Sequence, residues 1–175
     1  MGNRIKSLDF LRGMMAISIM IYHLTSWLFN RQDSSTLLGR LGVYGVSIFF
    51  ILSGLTMAIV YSNYIKDAKT CVNFYIRRLF RILPLLWICS FATIIIRGKN
   101  PGLDVLILNL TASFGFVSPG TYIVTGAWSI GNEMVYYAMT PIIIHIFNKS
   151  KIYGNIITLI TLALTIYFSF FILNS

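Results

Sequence analysis

Long stretches without a formal charge divide this chain. They cover residues 13–30, 41–65, 82–96, 105–132, 134–148 and 152–175. An apolar helix needs about 20 residues to cross the hydrocarbon core of a membrane, so several of these stretches are long enough. Of all residues, 57% are hydrophobic and only 11% are charged. A soluble fold of 175 residues could not bury that much apolar surface. The sequence therefore predicts an all-α fold, a polytopic transmembrane helical bundle.

The charge-free stretches predict five membrane spans and one further segment. We expect the spans near residues 8–29, 42–64, 80–96, 126–147 and 152–173. The segment 103–117 is too short for a secure span, so a short tilted helix or a re-entrant piece is expected there. With that segment the bundle has five to six membrane segments, and residues 1–175 form a single integral-membrane domain.

The cations set the expected topology. The chain carries 14 Lys and Arg against 5 Asp and Glu, a formal net charge of +9. A basic balance can indicate nucleic-acid binding, but here the cations flank the predicted spans, as topology signals do. We therefore expect membrane lipid and no nucleic acid as a partner. The positive-inside rule places the N-terminus and the 65–81 loop in the cytoplasm.

Cysteine and histidine do not predict a structural metal or disulfide. Cys71 falls in a basic loop and Cys89 inside an apolar run, so we expect neither a disulfide framework nor a thiolate metal site. The two histidines, His23 and His145, have no second ligand nearby in the sequence. We expect no metal site, and we interpret His145 as a residue at the membrane boundary.

The first predicted span carries three ionisable residues, Asp9, Arg12 and His23. Arg12 and His23 are 11 residues apart, which is three helical turns plus about 20°, so they share a face. Asp9 lies one turn before Arg12 and can pair with it. Imidazole titrates near neutrality, which suits a general base that takes a proton from a hydroxyl. The alternative is a buried histidine that hydrogen-bonds to a neighbouring helix.

A second cluster contains Arg77, Arg78 and Arg81. On a helix, Arg77 and Arg81 share a face and Arg78 lies beside them. Three guanidinium groups can grip phosphate through bidentate hydrogen bonds. The alternative is a cytoplasmic anchor that contacts anionic lipid head groups.

Glu133 lies within a predicted span, shortly after Trp128 and Ser129. A carboxylate in the membrane is costly without a cation or hydrogen-bond donor, and Arg12 or an arginine of the 77–81 cluster would serve. Structural pairing and catalysis both remain open for Glu133. The small pair Ser53-Gly54 allows close approach of helices, and secondly it could line a substrate path.

Four motifs in order resemble the acyltransferase-3 family of integral-membrane acyltransferases. They are Ser7 to Gly13 followed by His23, Gly45 to Gly54, Arg77 to Pro84, and Trp128 to Ile130 with Glu133 and Tyr136-Tyr137. Each motif alone is weak. Together they cover residues 7–141 in the family's order, which makes the resemblance specific.

The resemblance implies transfer of an acyl group, usually acetyl, from cytoplasmic acyl-CoA. The acceptor is a hydroxyl of a carbohydrate or related cell-envelope molecule, the membrane is a bacterial cytoplasmic membrane, and no cofactor is permanently bound. In the family the residues matching His23 and Arg12 are regarded as essential, and Glu133 joins them as a catalytic candidate. The residues matching Arg78 and Arg81 bind the acyl-CoA donor, with Arg77 beside them. Structural or substrate-path roles fall to Asp9, Ser53, Gly54, Trp128 and Ser129.

The number of spans departs from the family. Family members resemble bundles of roughly ten spans of about 20 residues each, and this sequence matches the N-terminal half. A second polypeptide supplying the missing helices is one interpretation. A truncated inactive remnant, and a non-enzymatic membrane subunit or half of a transporter, are the alternatives.

Overall fold

The computed structural model describes residues 6–29, 33, 35–98 and 100–172. Within these residues the secondary structure is helical and contains no strand, which confirms the all-α prediction. The helices are α1 Lys6–Leu28, α2 Leu37–Tyr61, α3 Ala68–Arg97, α4 Leu103–Leu110, α5 Phe114–Val117, α6 Trp128–Lys149 and α7 Lys151–Tyr167, and a π-helical turn, Phe168–Ile172, continues α7.

Three helices in the described part of the chain are long and apolar enough to cross a membrane. They are α2, α3 and the helix Lys151–Phe171. Helices α1 and α6 have 23 and 22 residues, a length of about 33–35 Å at 1.5 Å per residue. Polar groups inside them, His23 in α1 and Glu133 in α6, lower their hydropathy. Length and composition therefore support three of the five predicted spans, and α1 and α6 meet the length condition alone.

The segment predicted to be short does not form a span. It folds into α4, with eight residues, and α5, with four residues. Eight residues extend only about 12 Å, well under the thickness of the hydrocarbon core. Buried Asn109 links α4 to residues 118–127, the segment between α5 and α6. Its Nδ2 donates to the carbonyl of Thr121 (2.7 Å), and its Oδ1 accepts from the Ile123 N–H (3.0 Å).

Helix α3 begins at Ala68 rather than near residue 80. A capping box fixes this start, because the side chain of Asp67 accepts from the Thr70 N–H and the Thr70 side chain accepts from the Asp67 N–H. These hydrogen bonds hold the pKa of the Asp67 carboxyl below its ordinary value, the Thr70 N–H having the largest effect. The Arg77–Pro84 motif consequently lies inside a continuous helix, and Pro84 is not in its first turns.

Helix α6 is the element that brings the others together. It contacts α2, α3, α5 and α7, whereas α1 packs along α2. The core has two clusters of buried side chains, one around Phe74 and Tyr137 and the other around Leu86 and Phe114. The first cluster includes residues of α6, and the second includes Ala127 in the segment 118–127 that precedes α6. The core therefore positions the N-terminal half of α6.

Close packing of α5 on α6 requires a glycine at position 131. A Cβ there would lie 2.7 Å from Cε2 of Phe114 and 3.0 Å from Cα of Gly115. We expect Gly131→Ala to lower the free energy of unfolding by about 1–3 kcal/mol through overpacking, measured by thermal unfolding in detergent. Gly54→Ala is the matched control, because a Cβ at Gly54 meets no heavy atom within 4 Å. Equal stability of the two variants would contradict this packing.

Candidate functional site

Glu133 lies at the junction of three cavities. The first cavity, about 390 Å³, lies between α1, α2 and the start of α6. The second, about 380 Å³, lies between α2 and α6. The third, about 210 Å³, is lined by residues of α1, α2, α3 and α6. Glu133 lines all three, so a group bound in any of the three cavities lies beside this residue.

The first cavity brings together four residues that the sequence singled out. His23, Trp128, Ser129 and Glu133 all line it, although they come from two helices far apart in the chain. The His23 ring is half-buried and stacks on Trp27, with centroids 5.6 Å apart and planes at 30°. Trp27 therefore limits the orientations that the imidazole can adopt in the cavity.

The third cavity collects positive charge beside Glu133. Arg12 and Arg81 line it together with Glu133. The Arg12 guanidinium lies over the ring of Phe49, 5.1 Å from its centroid, and interacts electrostatically with Glu133 and Arg81. The arrangement places two cations next to one carboxylate, which is suited to stabilising a developing negative charge.

Tyr137 fixes one oxygen of Glu133. Its hydroxyl donates a hydrogen bond to Oε1 of Glu133, one helical turn away. The Tyr137 ring is buried and packs edge-on against Phe74, with centroids 6.1 Å apart. Tyr137 belongs to the fourth sequence motif, and its i, i+4 spacing from Glu133 is the signal from which this contact could have been predicted.

The three arginines of the second cluster face different surroundings. Arg78 is 7% exposed and lies in an aromatic cage, with ring centroids of Tyr61, Phe74 and Tyr137 at 4.9, 5.8 and 5.4 Å from its Cζ. Its Nε has no hydrogen-bond partner. Arg77 is exposed and lies over Tyr64 at 5.6 Å, and Arg81 is exposed at the third cavity. The three do not form one shared surface.

The remaining candidates occupy separate places. Asp9 is half-buried in the first turns of α1, and Ser53 and Gly54 line the second cavity. His145 lies on the last turns of α6, at another cavity of about 400 Å³ that it shares with Lys149 and Tyr153. Cys71 and Cys89 are free thiols. No group of three potential metal ligands occurs among the described residues.

Comparison with known proteins gives a consistent family match. An acyltransferase-domain family model matches residues 5–175. The O-acetyltransferase OatA of Staphylococcus aureus is 29% identical over 188 aligned residues, covering 93% of this chain and 29% of that protein. YrhL of Bacillus subtilis, described as a candidate peptidoglycan O-acetyltransferase, is 29% identical over 78% of this chain and 23% of its own length.

A third relative matches a shorter part of the chain. The exopolysaccharide production protein ExoZ of Rhizobium meliloti is 28% identical over 57% of this chain and 33% of that protein. The chain thus spans about a third or less of the length of these curated relatives. No solved structure matches the chain significantly.

Proposed function

Because the chain belongs to the acyltransferase-3 family, we propose that it acts as a membrane-embedded O-acyltransferase. It is an integral membrane protein, with helices long and apolar enough to cross a membrane. The observation that carries the proposal is that His23 and Glu133 line the same cavity, and that Glu133 also lines the cavity that contains Arg12 and Arg81. A base, a carboxylate and two cations at one junction are what acyl transfer needs.

In the proposed reaction His23 acts as the general base. It takes the proton of the acceptor hydroxyl, whose oxygen then attacks the thioester carbonyl of the acyl donor. The new C–O bond forms, the C–S bond breaks, and the CoA thiolate leaves and is protonated by the imidazolium. Arg12 stabilises the oxyanion of the tetrahedral intermediate. Glu133, held by Tyr137, stabilises the positive charge that forms on His23.

The proposed donor is acyl-CoA, with acetyl as the acyl group. Its phosphates cannot enter lipid, so they stay at the cytoplasmic end of the bundle, near the arginines of α3. Exposed Arg77 and Arg81 are accessible to these phosphates, and Arg81 also lines the third cavity. The donor is a substrate, and we propose no permanently bound cofactor or metal.

The proposed acceptor is a carbohydrate hydroxyl of the bacterial cell envelope. Supporting it are the relatives' names, which refer to O-acetyl transfer, peptidoglycan and exopolysaccharide. We place the protein in the bacterial cytoplasmic membrane with its N-terminus in the cytoplasm, following the distribution of its cations. A second polypeptide that supplies further helices is a proposed partner.

One observation also favours a non-enzymatic role as a membrane subunit. Among the described helices, α7 contacts α6 and its own π-helical continuation, and nearly all its side chains are exposed. A surface of this kind fits assembly with other helices. A subunit without catalytic function, or an inactive remnant of the family, has no need to bind acyl-CoA, so donor binding separates these alternatives from the enzyme.

The test is acetyl-CoA binding to the purified chain in lipid nanodiscs. We expect the unmodified chain to bind and the double variant Arg77→Ala/Arg81→Ala, which removes the two exposed arginines, to lose binding by about tenfold or more, because charge-assisted hydrogen bonds to phosphate contribute about 1.5–3 kcal/mol each. Lys149→Ala/Lys151→Ala is the matched control, since it removes the same charge at the α6–α7 junction. A folded chain that does not bind acetyl-CoA would contradict the proposal.

A further inference from the structure

The second cavity differs in character from the first. Its walls are mostly apolar side chains of α2 and α6, among them Met57, Ile143 and Ile144. It shares Phe50 and Glu133 with the first cavity. The two cavities are therefore neighbours, with Phe50 and Glu133 in the wall of both, and Tyr137 holds the Glu133 carboxylate.

The two cavities lie on opposite sides of Glu133 along the bundle. His23 and Trp27, in the first cavity, belong to the last turns of α1, and Trp128 begins α6. In the second cavity, Met57 is in the last turns of α2 and Ile144 is in the second half of α6. With the 65–81 loop in the cytoplasm, the second cavity lies on the cytoplasmic side of Glu133 and the first on the far side.

One hydroxyl in the second cavity has no partner. Ser53 is 6% exposed and lines the cavity, and its Oγ makes no hydrogen bond. A buried hydroxyl without a partner is costly, and a serine in a helix can normally bond to a carbonyl of the preceding turn. The free Ser53 Oγ is therefore available to a polar group of a ligand.

We propose that the second cavity holds the pantetheine arm of the acyl-CoA donor. This inference rests on the proposed function and names the part of the molecule that binds the arm. The arm is narrow, largely apolar and interrupted by two amides, one of which satisfies the hydroxyl of Ser53. Its thioester end reaches Glu133, where the cavity meets the one that contains His23. A lipid hydrocarbon chain would fill the same space but would leave Ser53 unpaired.

Gly54 offers a way to block the arm without disturbing the fold. A Cβ at Gly54 meets no heavy atom within 4 Å, and Gly54 lines the second cavity. We expect Gly54→Leu to weaken acetyl-CoA binding by about tenfold or more and to leave binding of adenosine 3′,5′-bisphosphate, which lacks the arm, unchanged. Both are measured by calorimetry in nanodiscs. Ala92→Leu, on an exposed face of α3, is the control and should change neither.

Ser53→Ala separates ligand contact from folding. Since the hydroxyl makes no hydrogen bond within the protein, the melting temperature of Ser53→Ala should equal that of the unmodified chain. Acetyl-CoA affinity should fall about two- to tenfold, the effect of one lost hydrogen bond, and bisphosphate affinity should not change. Unchanged acetyl-CoA affinity in both Gly54→Leu and Ser53→Ala would overturn the inference.

The remaining outcomes are also decisive. If Gly54→Leu weakened the binding of acetyl-CoA and of the bisphosphate equally, the substitution would not act through the pantetheine arm, and the inference would be overturned. Loss of co-purified phospholipid from Gly54→Leu, with acetyl-CoA affinity unchanged, would identify the cavity as a lipid site instead. If the unmodified chain binds neither acetyl-CoA nor the bisphosphate, the proposed function itself fails, which the variants alone would not show.

Discussion

His23→Ala should reduce acyl transfer by about 10²–10⁴-fold, the range expected when a general base is removed. The imidazole lines the first cavity beside Glu133, and in the described residues no other histidine lines that cavity. The chain should remain folded, because His23 is only half-buried and its ring contacts are with Tyr22 and Trp27 on its own helix. The measurement is transfer of labelled acetyl from acetyl-CoA to purified glycan fragments by membrane vesicles that contain the protein.

His145→Ala is the control for this variant. It removes an imidazole of the same size from the same protein, at a cavity lined by Lys149 and Tyr153 rather than by Glu133. Transfer by His145→Ala should match that of the unmodified chain. Full activity of His23→Ala would exclude the base assignment, and absence of transfer by the unmodified chain that still binds acetyl-CoA would favour an inactive remnant.

Helical periodicity located the polar face of the first helix but not its partner. The 11-residue spacing of Arg12 and His23 predicts one shared face, and each lines a cavity that also contains Glu133. That Glu133 lines both of these cavities depends on packing among α1, α2 and α6, which spacing within one helix cannot predict. The sequence offered Arg12 as one possible partner for Glu133, and the structure places the two at one cavity.

The start of α3 was missed for a local reason. The predicted span begins near residue 80 because the charged stretch ends at Arg81. The positions of the charges indicate where a helix enters the lipid, but they do not indicate where the helix begins. The helix begins earlier, at the capping box of Asp67 and Thr70, which is readable from the residues alone. The all-α class, in contrast, follows from apolar composition and is insensitive to such boundaries.

The different surroundings of Arg77, Arg78 and Arg81 could not be predicted from their spacing. A helix rotates about 100° per residue, so the sequence shows that adjacent arginines point in different directions, but not which direction is inward. That depends on Tyr61 of α2 and Tyr137 of α6, whose rings enclose Arg78. Contacts between α2, α3 and α6 therefore determine which of the three arginines is buried.

Arg78→Ala should lower the stability of the fold by about 2 kcal/mol or more. Each desolvated cation–π contact contributes about 0.5–2 kcal/mol, and Arg78 makes three of them. The truncation also leaves a void between Phe74 and Tyr137, the residues that support Glu133. Arg78→Lys should recover only part of this loss, since an ammonium lacks the planar face that stacks on rings. Thermal unfolding in nanodiscs measures both variants.

Arg81→Ala should produce the opposite pattern in the same preparations. Arg81 is exposed and has no aromatic cage in the described contacts, so its loss should change the melting temperature little. Acetyl-CoA affinity should fall about tenfold or more, because Arg81 is an exposed cation of α3 that can donate charge-assisted hydrogen bonds to the phosphates of the donor. If instead Arg78→Ala lost affinity at an unchanged melting temperature while Arg81→Ala bound normally, Arg78 would be the phosphate contact, and the aromatic cage would hold it for the donor rather than for the fold.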